Sequence, residues 1–117
     1  MTIKIKNLRL RTIVGVYEWE RQHKQEVVVN IQVDFDGEQA AQSDRLEDTV
    51  DYKALKGRIL EAVENSQFFL LERLAGRVLE IVMDEPRVQQ ASVEVDKPHA
   101  LRFADSVSVQ CQGSRKR

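Results

Sequence analysis

Cysteine is almost missing from this 117-residue sequence. Cys111 stands alone, so no disulfide can form within the chain, and a reducing cytoplasm is the expected setting. Histidine is as scarce, with only His23 and His99, far apart. Zinc catalysis draws on three protein ligands, often two or three of them histidines, so neither a metal site nor a cofactor is expected. The five glycines, at 15, 37, 57, 76 and 113, form no glycine-rich phosphate loop. Long apolar runs are lacking as well. The opening MTIKIKNLRL alternates charged and apolar residues, unlike a signal peptide, and no segment approaches the ~18 apolar residues of a membrane span. An excess of one charge is also absent: 18 Lys and Arg against 19 Asp and Glu leave a formal net charge of −1. Neither nucleic acid nor an anionic membrane is therefore an expected partner.

What is present suits one soluble domain with one core. The chain is 42% hydrophobic and 32% charged. No repeat or linker divides it, so residues 1–112 are expected to form the domain and 113–117 (GSRKR) a frayed, flexible basic tail. Ile3, Ile5, Leu8 and Leu10 suggest a strand whose phase slips near Asn7, as at a bulge. Val27, Val29, Ile31, Val33 and Phe35 alternate with mostly polar neighbours, the pattern of a half-buried antiparallel strand ending at Asp36-Gly37. The link from Gly15 to Gln25 is too long for a tight turn and reads as a loop.

Beyond a polar stretch at 38–50, Tyr52, Leu55, Ile59, Leu60 and Val63 recur at helical spacing, with Asp48 or Thr49 as candidate caps. A second helix carries Leu70, Leu71, Leu74, Ala75, Val78, Leu79 and Val82 on one stripe and stops by Pro86. Val93 and Val95 mark a third strand, and Val107, Val109 and Cys111 a fourth. Cys111 is in phase with the valines and reads as a small apolar residue, not a nucleophile. The order β-β-α-α-β-β predicts an α+β fold: a four-stranded antiparallel sheet with helices on one face and a polar, uncovered face on the other.

Four ionisable residues sit at the edges of these elements: Glu20 in the long loop, Tyr52 at the start of the first helix, Glu72 in the first turn of the second, and Lys97 at the end of the third strand. Each has a plain structural explanation taken singly. Glu20 fits a loop charge and Tyr52 a packing residue. Glu72 fits a favourable charge at a helix N-terminus, and Lys97 a solvated strand end. Spacing alone does not gather them into one site.

Four stretches in register do more. GVYEWE (15–20), DYKALK (51–56), FFLLERLA (68–75) and DKPHALRFADSVSV (96–109) together resemble the dihydroneopterin aldolase and epimerase family over roughly residues 3 to 111. That resemblance implies the tunnelling fold (T-fold), in which β-β-α-α-β-β units join their sheets side by side into an oligomeric barrel. A ring of four subunits stacked to a homo-octamer, with sites at subunit interfaces, is the implied assembly. Zinc-using relatives of the fold carry a histidine set that this sequence lacks, so a metal-free member acting on a small-molecule pterin is implied.

The resemblance also distributes roles. Glu72 would anchor the pterin through a charge-assisted fork. Lys97 and Tyr52 would move protons at the substrate's side chain, with Glu20 holding Lys97 or an ordered water. Tyr52 and Glu20 would come from a partner chain relative to Glu72 and Lys97. Val16, Tyr17, Asp51 and Leu71 would supply stacking and backbone contacts. A 7,8-dihydropterin contains a C6=N5 imine, so the substrate carries its own electron sink. Lys97 then serves as a general acid/base with no covalent link, provided its surroundings loosen its hold on the proton.

Within the family, release of the aldehyde gives an aldolase, and its retention and re-addition give an epimerase. HALR followed by ADSVSV resembles the epimerase branch that acts on the triphosphate, with His99 and Arg102 as phosphate ligands and Arg21 and Lys24 as further candidates. GVYEWE resembles the aldolase branch at least as well. A non-catalytic assembly module is a third reading, disfavoured because Lys97, Tyr52 and Glu72 are all present.

Overall fold

The computed structural model describes residues 1–115. Two long hairpins frame a helical pair. Strand β1 (Thr2–Val14) pairs antiparallel with β2 (Gln25–Phe35), and β4 (Val88–Pro98) pairs antiparallel with both β2 and β5 (Ser106–Ser114). Helices α3 (Tyr52–Glu64) and α4 (Leu71–Met83) fill the middle of the chain. Short helices α1 (Glu18–Gln22) and α2 (Glu38–Ser43) occupy the connections.

The strict alternation of β2 has a direct outcome: Val27, Val29, Ile31, Val33 and Phe35 are all buried. They meet Leu10 and Val14 of β1, Val93 and Val95 of β4, and a helical layer that includes Leu55, Ile59, Val63, Leu74, Val78 and Val82. Helix α4 lies on β4 and β5, while α3 lies on β1 and α4. The opposite sheet face carries registered polar rows such as Lys4, Gln32, Ser92 and Gln112. The slip near Asn7 is a real irregularity between Ile5 and Leu8, with Asn7 at φ 54° and its N–H donating to Asn30 Oδ1 at 2.9 Å.

Several expectations are corrected. The sheet has five strands in the order β3-β1-β2-β4-β5 and is mixed: β3 (Gln67–Phe68) pairs parallel with the end of β1, Ile13 opposite Gln67 and Val14 opposite Phe68. Two residues carry no readable alternation, and the backbone N–H of Gly15 extends this pairing by donating to Phe68 O at 3.1 Å. The link after Gly15 is not loop throughout, because it contains α1. The cap of α3 is Asp51, whose Oδ1 accepts from Ala54 N at 3.1 Å, rather than Asp48 or Thr49. Tyr52 and Leu70 are exposed, so neither belongs to a buried stripe, while Ile81 does. Cys111 is half-buried, and burial pushes its thiol pKa up.

The first three residues of the stretch expected to be a tail are held by the sheet. Gly113 and Ser114 lie in β5 opposite Ala91 and Gln90. The Arg115 guanidinium donates to the carbonyls of Val88 and Met83 at 3.1 and 2.6 Å. Residues 116 and 117 lie outside the described residues. Among the described residues, no helix is long and apolar enough to cross a membrane.

Candidate active site

Three polar residues occupy core-facing phases of their strands near one end of the sheet. Thr12 shares the phase of Leu10 and Val14, Gln25 that of Val27 and Val29, and Lys97 that of Val93 and Val95. A polar side chain on an inward phase needs a partner, since burying it alone is costly. For two of the three the partner is Glu20. Helix α1 is short, and its third residue, Glu20, turns back to accept from the N–H of the N-cap residue Tyr17 at 3.3 Å, one half of a capping box. This fold-back points the carboxylate inward. Oε2 accepts from Lys97 Nζ at 2.6 Å and from Gln25 Nε2 at 3.1 Å. The Lys97 and Glu20 side chains are only 12% and 8% exposed.

Gly15 makes the room. It has φ 138°, and a Cβ there would lie 2.2 Å from Glu20 Cδ. Burial alone would push the Glu20 pKa up. The hydrogen bonds from Lys97, Gln25 and the Tyr17 backbone, with the charge of Lys97, outweigh burial and hold the carboxyl below its ordinary value. The result is a carboxylate that stays ionised beside a primary amine, fixed in direction by two further donors.

The pair forms the floor of an open cleft of about 540 Å³ whose lining includes Tyr17, Trp19, Gln25, Pro98 and His99. His99 enters this wall through a left-handed backbone, φ 61°, directly after Pro98. Arg102 is exposed farther along the 99–105 connection. Among the described residues, no group of three or more His, Cys, Asp or Glu side chains is placed to hold a metal ion.

Of the residues singled out in the sequence, one chain brings together Glu20, Lys97, Tyr17 and His99. Glu20 and Lys97 therefore belong to the same chain, which corrects the expectation that they come from different ones. Tyr52 and Asp51 stand at the start of α3, Leu71 and Glu72 at the start of α4, and Val16 between Gly15 and Tyr17, and none of them is among the residues that line this cleft. The Asp51 carboxylate is engaged as a helix cap. Arg21 is also spoken for. Its guanidinium donates to the carbonyls of Gly15 and Phe68, so it is not a phosphate ligand in waiting. Gln25 and Gly15 belong to the site without belonging to the sequence expectations above. The inward phase of Gln25, continuous with Val27 and Val29, was the available signal.

Comparison with known proteins supplies the family. Residues 3–112 match the family model described as dihydroneopterin aldolase (FolB). The chain is 42% identical over 113 residues to the dihydroneopterin triphosphate 2′-epimerase of Pseudomonas aeruginosa, covering 97% of this chain and 92% of that one. It is 31% identical over 105 residues to the dihydroneopterin aldolase of Haemophilus influenzae, covering 90% and 89%. The solved structure of the Escherichia coli dihydroneopterin aldolase in complex with neopterin superposes with a TM-score of 0.93 at 29% identity, covering 97% of this chain and 99% of that one. A match of that extent, over the segments that carry Glu20, Lys97 and the starts of both long helices, places the chain in the dihydroneopterin aldolase family.

Proposed function

We propose that the chain is an epimerase that inverts C2′ of 7,8-dihydroneopterin triphosphate, giving dihydromonapterin triphosphate. The observation that carries the chemistry is the sequestered Lys97–Glu20 pair on the floor of an open cleft. In this reading the Lys97 ammonium, paired with Glu20, first passes a proton to solvent, and the free amine then takes the proton of the 2′-hydroxyl. The C2′=O bond forms, the C1′–C2′ bond breaks, and its electrons pass through C6 to N5, which takes a proton from water. Glycolaldehyde triphosphate stays bound and presents its other face, and the C1′–C2′ bond re-forms as N5 gives its proton back to water and Lys97 returns the proton to the 2′-oxygen. The substrate's imine is the electron sink, so neither a metal nor a lysine imine is required.

Glu20 fixes the amine's direction. Glu72, exposed in the first turn of α4, anchors the pterin by accepting from its 2-amino group and ring N–H. Leu71, Val16 and Tyr17 contribute stacking and backbone contacts. Tyr52 is supplied by a neighbouring protomer and relays a proton. This division suits a site completed at a subunit interface, in a cytoplasmic homo-octamer of two four-membered rings. His99 and Arg102 grip the triphosphate, which keeps the aldehyde in place.

The preference for inversion over cleavage is supported by 42% identity to an epimerase against 31% to an aldolase. The aldolase reading, release of glycolaldehyde to give 6-hydroxymethyl-7,8-dihydropterin, has the family description and the GVYEWE stretch in its favour. Incubation with dihydroneopterin and with its triphosphate, followed by chromatographic separation of epimer from hydroxymethyl product, tests the choice. Fast inversion of the triphosphate with little cleavage is expected. Fast cleavage of the unphosphorylated compound with little inversion would establish the aldolase instead. Arg102→Ala should raise KM for the triphosphate by roughly 10-fold, the scale of one lost charged contact. An unchanged KM removes Arg102 from the phosphate site.

A further inference from the structure

The proton-carrying pair and the start of α4 lie on different elements, and one side chain ties those elements together. Arg21 follows Glu20 on α1. Its Nη1 donates to Gly15 O at 3.0 Å and to Phe68 O at 2.7 Å, its Nη2 donates to Gln67 Oε1 at 3.2 Å, and its guanidinium carbon lies 3.9 Å from the centre of the Phe69 ring. These contacts join three things. Gly15 is the residue that admits the Glu20 carboxylate. Gln67 and Phe68 form β3, held to the end of β1. Phe69 and Leu70 lead directly into α4, whose first turn bears Glu72. Both hydrogens of Nη1 are committed to carbonyls, and the planar fork reaches two neighbouring acceptors while its face covers an aromatic ring. A lysine has the charge but not this geometry.

We propose that Arg21 is a positioning residue of the reaction. It holds α1 and the β3–α4 corner at a fixed separation, and so sets the Lys97–Glu20 pair against a pterin anchored at Glu72. The proposal rests on the functional reading given above. Its consequence is specific. Without the clamp, the pterin still binds at the start of α4, but the 2′-hydroxyl no longer meets the amine in a reactive geometry. A displacement near 1 Å costs roughly 100-fold in rate when the reacting groups depend on alignment.

The test compares Arg21→Ala and Arg21→Lys with the unmodified full chain. It measures kcat for C2′ inversion, the Kd of neopterin as a non-reacting pterin, and thermal unfolding. Arg21→Ala should lose roughly 10- to 100-fold in kcat while the neopterin Kd stays within about 3-fold. Arg21→Lys, which can satisfy one carbonyl, should fall between the two, and it carries the test alone if the alanine variant does not fold. A lower Tm with kcat unchanged in the folded fraction makes Arg21 merely structural and overturns the proposal. Weakened neopterin binding with kcat intact overturns it as well. If the unmodified chain turns over neither dihydroneopterin nor its triphosphate, the functional reading has failed and the proposal falls with it. An active parent with an equally active Arg21→Ala sinks the proposal alone.

Discussion

Glu20 sits where burial and hydrogen bonding oppose each other, and hydrogen bonding wins. The sign of its contribution follows. A carboxyl held below its ordinary value in the folded protein adds stability above its unfolded pKa, ordinarily ~4.3. That contribution is lost as pH falls through the lower folded value. Glu20→Gln removes it. Thermal unfolding from pH 7 to pH 3 should show the unmodified chain losing more stability than the variant, with the gap closing at the acid end. Lys97→Ala leaves the carboxylate two of its three donors, Gln25 and the Tyr17 N–H. The loss should be about 2 kcal/mol, the scale of one charge-assisted hydrogen bond, read from urea midpoints, and turnover should be abolished. Gly15→Ala combines a positive φ with a Cβ placed on Glu20 Cδ. It should destabilise by at least about 1 kcal/mol and displace the carboxylate. Adding Glu20→Ala should recover part of that loss, a non-additivity that independent sites would not show.

Elements differ in how plainly they can be read, and the difference is periodicity. β2 alternates without a break over Val27 to Phe35, and every inward residue is buried. The irregularity near Asn7 is legible because a phase slip can be seen only inside a long strand. α1, at five residues, and β3, at two, are shorter than any repeat that could reveal them. Both are held by Gly15 and Arg21, contacts between residues remote in sequence. The site divides the same way. Lys97 at a strand end and Glu72 in a first helical turn were legible in position, whereas the pairing of Lys97 with Glu20 spans 77 residues and becomes visible only in three dimensions. Thr12 shows what inward polar residues do elsewhere in the sheet. It is buried, and its hydroxyl donates to Val63 O at 2.8 Å, tethering β1 to the end of α3. Thr12→Val keeps the shape and removes the donor, so urea unfolding should show a loss of about 1 kcal/mol, with turnover unchanged.

For the whole molecule, shape and surface point the same way. The chain spans 51 × 25 × 25 Å with a radius of gyration of 15.4 Å, against ~13 Å for a compact domain of similar length. Its long sheet bears one face without a helical layer and leaves a full-length edge at β5. Both features suit a protomer completed by copies of itself. Sedimentation equilibrium should return eight times the chain mass, and a monomer would remove the proposed source of Tyr52. The central claim is narrower: the Lys97 amine, steered by Glu20 of its own chain, carries a proton and forms no bond to carbon. Borohydride quenching during turnover, followed by intact-mass measurement, addresses it most directly. The account predicts an unmodified protein mass at every stage of C2′ inversion. A reduced substrate adduct on Lys97 would contradict it.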